Sequence, residues 1–235
     1  MRLSMRMKQI IDLVEPCKTV ADIGCDHGYV AIDLIEKGLA DTVIAMDVRK
    51  GPLSRAMEHI SQAGLTSRIP CRLSDGLEQL QPGEAETLIL AGMGGLLITG
   101  ILERGKAKRK KTETLILQPQ SDIPEVRRYL HNDGYQIQRE EMLEEDGKYY
   151  IVMQGKPGRE SYDREIYYQY GKNLLDRRSK ALYQYLKKEE RLYTEIAEQL
   201  EGQQGEGAEK RLQELKQQVE WNREAQKVYE IKEDY

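Results

Sequence analysis

A short apolar run followed at once by two closely spaced glycines constrains the fold of this chain more than any other stretch. Residues 19–29 read TVADIGCDHGY, in which a strand-like segment ends at Ile23 and is followed by Gly24 and Gly28. A helix-like segment, residues 30–37, comes next. This order of strand, glycine turn and helix is typical of nucleotide-binding sites in doubly wound α/β folds. The glycines allow the backbone to turn tightly and to lie close to a ligand.

The acids around this turn narrow the class of ligand. Asp47 ends the next apolar run, about 20 residues beyond the turn, where a carboxylate can bind the hydroxyls of a ribose. The turn itself reads Asp22-x-Gly24-x-Asp26-x-Gly28 and not the G-x-G-x-x-G of dinucleotide sites. An acid in the turn repels a pyrophosphate, whereas it suits a ligand with an ammonium and a sulfonium, such as S-adenosylmethionine. The chain has no G-x-x-x-x-G-K-[ST] loop, so ATP is not expected.

Strand and helix segments alternate through the first two thirds of the chain. Strands are predicted at residues 19–23, 42–47, 69–73, 87–91, 114–117, 135–144 and 148–153. Helices are predicted at residues 4–14, 30–37, 52–63 and 123–132, with another that follows Gly95 and ends near residue 103. Five strand–helix units and a closing hairpin predict an α/β fold with a Rossmann-like, seven-stranded, mostly parallel sheet and an antiparallel edge.

The pattern changes to long helices after Pro157-Gly158. Apolar residues recur there at spacings of three, four and seven, at Leu175, Leu182, Tyr185, Leu186, Leu192, Ile196, Leu200, Leu212, Leu215, Val219 and Tyr229. The segment from Gly202 to Gly207 interrupts the pattern. We predict an antiparallel coiled-coil hairpin, and therefore a Rossmann-like α/β domain at residues 1–158 and a coiled-coil domain at residues 159–235. Polar residues such as Glu189 and Gln226 fall on the seam, so we expect imperfect pairing.

Composition excludes several other classes of protein. With 36 basic and 40 acidic residues, the chain is not a globally basic nucleic-acid binder, although local basic patches remain open. Its three cysteines lack CxxC spacing, its three histidines are scattered, and its apolar runs are shorter than a membrane span. We therefore expect free thiols, no metal site, no membrane partner and a cytoplasmic location. The oligomeric state is left open, with a monomer as the working expectation.

Several motifs together resemble one known family. The run Asp22-x-Gly24-x-Asp26-x-Gly28 resembles the first motif of class I S-adenosylmethionine-dependent methyltransferases, and Asp47 matches their ribose-binding acid. The runs DIGCDHGY, AGMGG and LQPQSD, with the helical hairpin, are similar to the bacterial tRNA (adenine(22)-N(1))-methyltransferase family, TrmK. The resemblance covers essentially the whole chain. It implies methylation of adenine N1 in the D-loop region of tRNA, at position 22, with S-adenosylmethionine as cofactor.

The resemblance also implies a cofactor site at the ends of the strands, where Ser74-Asp75-Gly76 would form the adenine-binding corner. The implied cofactor residues are Asp22, Gly24, Cys25, Asp26, His27, Gly28, Asp47, Val48, Ser74, Asp75, Gly76, Gly92, Met93 and Gly94. We predict that Asp26 stabilises the positive charge that develops on the methylated adenine, and that His27 and Tyr29 hold or stack the base. Asp26 could instead cap the following helix, His27 could be a turn residue, and the glycines after the fourth strand could only permit a sharp turn.

Basic side chains are the candidates for tRNA contact, because phosphate contacts supply much of the affinity for RNA. The candidates are Arg6, Lys106, Lys108, Arg109 and Lys110, with Arg177, Arg178 and Lys180 on the hairpin. A solvated surface is the alternative for each of them, and the hairpin could instead be a dimerisation or docking element.

Two other functions remain open at this stage. The first is a methyltransferase acting on a small molecule or a protein. The second is a non-catalytic cofactor- or RNA-binding module whose hairpin recruits a partner. The chain lacks an Asn/Asp-Pro-Pro-aromatic motif after the fourth strand. Because that motif serves methylation of exocyclic amino groups, its absence favours attack by a ring nitrogen.

Overall fold

The computed structural model describes residues 3–201 and 206–230, which divide into two compact units. The first unit ends at Glu160 and the second begins at Ser161. Helices of the first unit are α1 (Met5–Asp12), α2 (Tyr29–Glu36), α3 (Lys50–Gln62), α4 (Gly95–Arg104) and α5 (Ile123–Asn132). Its strands are β1 (Cys17–Ile23), β2 (Ala40–Asp47), β3 (Cys71–Leu73), β4 (Thr87–Met93), β5 (Thr114–Pro119), β6 (Tyr135–Glu145) and β7 (Lys148–Pro157).

The seven strands form one sheet in the order β3-β2-β1-β4-β5-β7-β6. The first five strands in this order run parallel, and β7 runs antiparallel to both β5 and β6. This arrangement confirms the predicted mostly parallel sheet with an antiparallel edge. The order reverses between β1 and β4, so the carboxyl ends of these two strands flank the crevice in which ligands of such sheets bind.

The central strands are apolar at nearly every position because helices cover both faces of the sheet. All six residues of β5 are buried, as are residues 87–90 of β4. On α1, Ile10 and Ile11 are buried, which agrees with the predicted packing of this helix on the sheet. The Ser4 side chain accepts a hydrogen bond from the Met7 N–H at 3.2 Å and so caps the start of α1.

Several element ends differ from the predicted ones. β1 and β2 each begin two residues earlier, β3 is only three residues long, and β7 continues to Pro157. β4 extends through Gly92 to Met93, which pairs with Pro119 across an irregularity in the register. These ends are set by pairing with neighbouring strands, which local apolar patterns do not encode.

The second unit contains α6 (Glu165–Tyr170), α7 (Lys172–Asp176), α8 (Lys180–Glu201) and α9 (Glu206–Glu230). Contacts between α8 and α9 run antiparallel, since Tyr183 stacks on Tyr229 while Arg223 pairs with Glu190 further along α8. The short helices α6 and α7 were not predicted. Leu192 was wrongly placed on the seam, because its side chain is 52% exposed. The predicted break at Gly202 to Gly207 lies largely outside the described residues.

A buried carboxylate occupies the interface between α8 and its neighbours in this unit. Glu189 accepts hydrogen bonds from the hydroxyls of Tyr170, Tyr185 and Tyr193 at 2.7, 2.7 and 3.0 Å. The Asn222 side-chain amide donates a fourth at 2.9 Å. The polar seam residue noted in the sequence is therefore fully provided with donors, which compensates for the cost of burying its charge.

Candidate active site

A cavity of about 420 Å³ opens at the carboxyl ends of β1, β2 and β4. Predicted cofactor residues that line it are Asp22, Gly24, Cys25, Asp26, Asp47, Val48, Ser74, Asp75, Gly76, Gly92 and Met93. Residues that line it without having been predicted as cofactor ligands are Arg6, Met7, Ile10, Ile23, Val30, Arg49, Ala91, Leu97, Ile101 and Gln120. The volume and the convergence of several strand ends are typical of a small-molecule site.

Three predicted cofactor residues, His27, Gly28 and Gly94, are not part of this lining. Gly28 is the N-cap of α2, and a Cβ there would lie 3.2 Å from that of Ala56. Gly94 is the N-cap of α4. The two glycines therefore allow close packing and helix initiation. His27 belongs to an aromatic cluster beside the cavity.

Hydrogen bonds between strand ends hold the glycine turn against β2. The N–H groups of Gly24 and Cys25 donate to the Met46 carbonyl at 2.7 and 3.0 Å. A Cβ at position 24 would lie 2.3 Å from the terminal methyl of Met93, and the φ angle of Gly24 is +77°. The positive φ favours glycine here, and the absence of a side chain lets the end of Met93 pack directly on the turn.

Asp22 is a buried carboxyl group in the wall of the cavity. Its side chain is 4% exposed, and its Oδ2 atom has no hydrogen-bond partner among the described residues. Burial is the larger cause and the nearby Asp47 carboxylate the smaller one that together raise the pKa of Asp22 to about 7. An unpaired acid of this kind favours a cationic ligand group beside it, because such a group would relieve the cost of its ionisation.

Asp47 and Ser74 form hydrogen bonds that fix the backbone at the carboxyl ends of β2 and β3. Asp47 is also 4% exposed, and its Oδ1 atom accepts a hydrogen bond from the Arg49 N–H at 2.8 Å. The Ser74 hydroxyl donates to the Gly76 carbonyl at 2.9 Å, and the Ser74 N–H donates to the Asp47 carbonyl at 2.9 Å. Ser74 thus fixes the turn that carries Asp75 along the edge of the cavity.

Cys25 is a small, buried packing residue and not a nucleophile. Its side chain is 7% exposed. Burial is the main cause that raises the pKa of its thiol, and the Asp22 carboxylate adds to the effect. The thiol therefore stays protonated and is a poor nucleophile.

Asp26 lies at the mouth of the cavity in a left-handed conformation, with φ +46°. Gly28, and not Asp26, occupies the N-cap of α2, and no side chain caps this helix end. The Asp26 side chain is 53% exposed and lies 3.7 Å from His27 Nε2 and 3.9 Å from Arg55 Nη2. The carboxylate is thus available to a ligand that enters from solvent.

Three rings cluster next to Asp26. The centroids of His27 and Tyr29 are 5.4 Å apart at an interplanar angle of 11°, and those of Tyr29 and His59 are 4.8 Å apart at 17°. The His59 Nδ1 atom lies 2.9 Å from the His27 carbonyl oxygen, which ties α3 to the glycine turn. His59 was not predicted, because nothing in its spacing from residues 27–29 indicates that it meets them.

The predicted tRNA-binding residues have different surroundings. The prediction is wrong for Arg109, because this side chain is only 6% exposed. Its guanidinium points inward and donates hydrogen bonds to Asp133, to the hydroxyls of Tyr129 and Tyr135, and to the Leu102 carbonyl. Lys106 is exposed but paired with Glu103 at 2.7 Å. Lys110 is exposed and Lys108 half-buried, while Arg177, Arg178 and Lys180 are exposed on the second unit. Arg6 lines the cavity.

Among residues 3–201 and 206–230, no group of three or more His, Cys, Asp or Glu side chains could hold a metal ion. No helix in these ranges is long and apolar enough to cross a membrane.

Comparisons with known proteins agree with the motifs. The family model for tRNA (adenine(22)-N(1))-methyltransferase, TrmK, matches residues 20–224. The tRNA (adenine(22)-N(1))-methyltransferase of Bacillus subtilis (strain 168) is 38% identical over 168 residues, which are 72% of this chain and 69% of that protein.

Solved structures give the same result. The crystal structure of the Bacillus subtilis tRNA methyltransferase TrmK superposes with a TM-score of 0.87 at 31% identity, covering 95% of this chain and 98% of that one. A Streptococcus pneumoniae protein in complex with S-adenosyl-L-methionine superposes with a TM-score of 0.84 at 31% identity, covering 95% and 99%. The resemblance seen in the sequence is thereby confirmed, and this chain belongs to the tRNA (adenine(22)-N(1))-methyltransferase family, TrmK.

Proposed function

We propose that this protein transfers the methyl group of S-adenosylmethionine to N1 of adenine 22 in tRNA. The observation that carries the proposal is the acid-lined cavity at the switch point of the sheet, in which Asp22 and Asp47 are both buried. Family membership supports it, as does the S-adenosyl-L-methionine complex of the Streptococcus pneumoniae relative.

The residues of the cavity fit this cofactor. The unpaired Oδ2 atom of Asp22 is suited to the ammonium of its amino-acid group. Asp47, at the end of β2, is suited to the ribose hydroxyls, and the turn from Ser74 to Gly76 to the adenine. When bound, the cofactor supplies a methyl group attached to a positively charged sulfur.

Catalysis would then depend mainly on positioning. Adenine N1 has a free lone pair at neutral pH, so no side chain has to remove a proton before the attack. Holding the two reactants in line accounts for a large part of the rate of such a reaction. Asp26, at the mouth of the cavity, would stabilise the positive charge that the adenine ring gains. Its high exposure means that solvent screens this effect in part.

The ring cluster of His27, Tyr29 and His59 would hold bases of the substrate near the cavity. Stacking of a base on an aromatic side chain contributes about 1–3 kcal/mol and tolerates any base. We include His59 in this role because its ring lies nearly parallel to that of Tyr29.

The two domains, which we place at residues 1–158 and 159–235, would share the contact with tRNA. Lys108 and Lys110 would contact phosphates from the first, and Arg177, Arg178 and Lys180 from the second. Such contacts release counterions, so we expect the affinity for tRNA to fall steeply as salt is raised.

The test is mass spectrometry of nucleosides from unmodified tRNA incubated with the protein and labelled S-adenosylmethionine. Labelled N1-methyladenosine is expected, and a tRNA with guanosine at position 22 should remain unlabelled. The Asp47→Asn variant should lose activity, whereas Asp41→Asn, which changes an exposed acid on the same strand, should retain it. Cofactor binding without turnover would instead favour a non-catalytic module, and methylation of another acceptor would contradict the assigned substrate.

A further inference from the structure

The arginine at the edge of the cavity has surroundings that the tRNA assignment does not explain. Arg6 lines the cavity from α1. Its Nη1 atom donates to Gln118 Oε1 at 3.0 Å, and its guanidinium carbon lies 5.3 Å from the centroid of the Tyr150 ring. Its backbone N–H and that of Met5 face the two carboxylate oxygens of Glu145, at 3.4 and 2.5 Å. Both the helix start and the side chain are therefore held in place.

Gln118 is the residue that links Arg6 to the β4 turn. Its side chain is fully buried, and its Oε1 atom also accepts a hydrogen bond from the Gly92 N–H at 3.1 Å. Its Nε2 atom donates to the Pro119 carbonyl at 3.2 Å, which fixes the orientation of the amide. A Cβ at Gly92 would lie 3.4 Å from Arg6 Nη1, so the guanidinium rests directly on this glycine.

The charged residues of the cavity wall differ in whether they have a partner of opposite charge. Asp22, Asp26, Asp47 and Asp75 supply negative charge, and Arg49 lies 3.8 Å from Asp47. By contrast, no carboxylate among the described residues forms an ion pair with Arg6. A ligand that carries an ammonium, a sulfonium and a carboxylate would find acids for its cations, but its carboxylate needs a separate positive group.

We propose that Arg6, held by Gln118 against the Gly92 turn, is the anion-binding end of this cavity and binds the carboxylate of the cofactor's amino-acid group. This inference rests on the proposed function and deepens it. Gln118 is a positioning residue, because it acts through Arg6. An RNA phosphate has related chemistry and is the rival source of the anion.

The test compares two ligands by calorimetry, S-adenosylmethionine and decarboxylated S-adenosylmethionine, which keeps both cations but lacks the carboxylate. Arg6→Met should weaken binding of the first about tenfold, as expected for one lost charge-assisted hydrogen bond, and should change binding of the second less than about twofold. Lys8→Met removes an exposed positive charge from the same helix and should change neither.

A second variant keeps the test independent of how well Arg6→Met folds. Gln118→Glu preserves the side-chain size and places a carboxylate against the guanidinium, so the preference for the carboxylated ligand should disappear. Combining the two substitutions should then cause no additional loss of this preference.

Two results would overturn the inference. In one, Arg6→Met weakens both ligands equally, so that the arginine only shapes the cavity. In the other, it weakens only tRNA binding, so that the anion is a phosphate. Failure of the unmodified protein to bind S-adenosylmethionine would instead overturn the proposed function itself.

Discussion

Replacement of Asp22 by asparagine should stabilise the cofactor-free protein at neutral and alkaline pH, although Asp22 lies in the proposed binding site. The pKa of Asp22 is raised from 3.8 to about 7. The lower value applies to the unfolded state and the higher one to the folded state. At a pH between them, Asp22 keeps its proton in the folded state and has lost it in the unfolded state, so the free energy of unfolding falls as pH rises. Above about pH 7 the full cost of the buried carboxylate is present, and asparagine, which has nearly the same shape, removes it.

The size of this effect follows from the pKa difference. A difference of about 3 corresponds to about 4 kcal/mol of unfolding free energy. For a chain of this length that is a rise in Tm of about 10 °C. The advantage of Asp22→Asn should be absent near pH 4, grow up to pH 7 and remain constant above it.

The assay is urea denaturation of the cofactor-free protein between pH 4 and pH 8.5, with Asp41→Asn as the control. Asp41 is an exposed acid on β2, so this control should follow the unmodified protein at every pH. With S-adenosylmethionine present the order should reverse, because Asp22→Asn loses the partner of the ammonium. A stability difference that does not vary with pH would refute the reasoning.

Three further predictions concern other parts of the first unit. Asp26→Asn should lower turnover about tenfold more than it lowers cofactor affinity; equal losses in single-turnover and calorimetric measurements would contradict its electrostatic role. Arg109→Met should cost about 2–3 kcal/mol in urea denaturation because it removes the charged hydrogen bonds to Asp133 and leaves this carboxylate only the exposed Lys106, at 3.4 Å, as an ion-pair partner, whereas the exposed Lys110→Met should cost almost nothing. Gly95→Ala should lower Tm, because its Cβ would lie 2.5 Å from the Ser121 carbonyl oxygen; an unchanged Tm would show that this turn can move.

The sequence predicts the sheet well because each strand carries its own apolar pattern and each turn its own glycine. Asp47, Ser74 and Met93 could be assigned to the cavity for the same reason, since each directly follows or ends a strand. Residues that reach the site by long-range packing could not be found in this way. Gln118 and His59 have ordinary local contexts, and their roles arise only when distant elements meet.

Arg109 shows the opposite error. Within the run KAKRKK it is indistinguishable from its neighbours, and all of them suggest a solvated or phosphate-binding loop. The fold turns this one side chain inward to Asp133, on a segment more than 20 residues away in the sequence. A charge pattern therefore indicates which residues are available to a partner, but it does not reveal which of them the protein uses for its own stability.

The carboxylate of Glu189 limits how the helical hairpin can move. Three tyrosine hydroxyls and one amide converge on it from different positions along the helices. If α9 slid along α8 by one helical turn, about 5.4 Å, the buried Asn222 amide would lose both Glu189 and the Leu186 carbonyl as acceptors, and Glu189 would lose one of its four donors. The two helices therefore have a single favoured register, and we expect α8 and α9 to move together without sliding along each other.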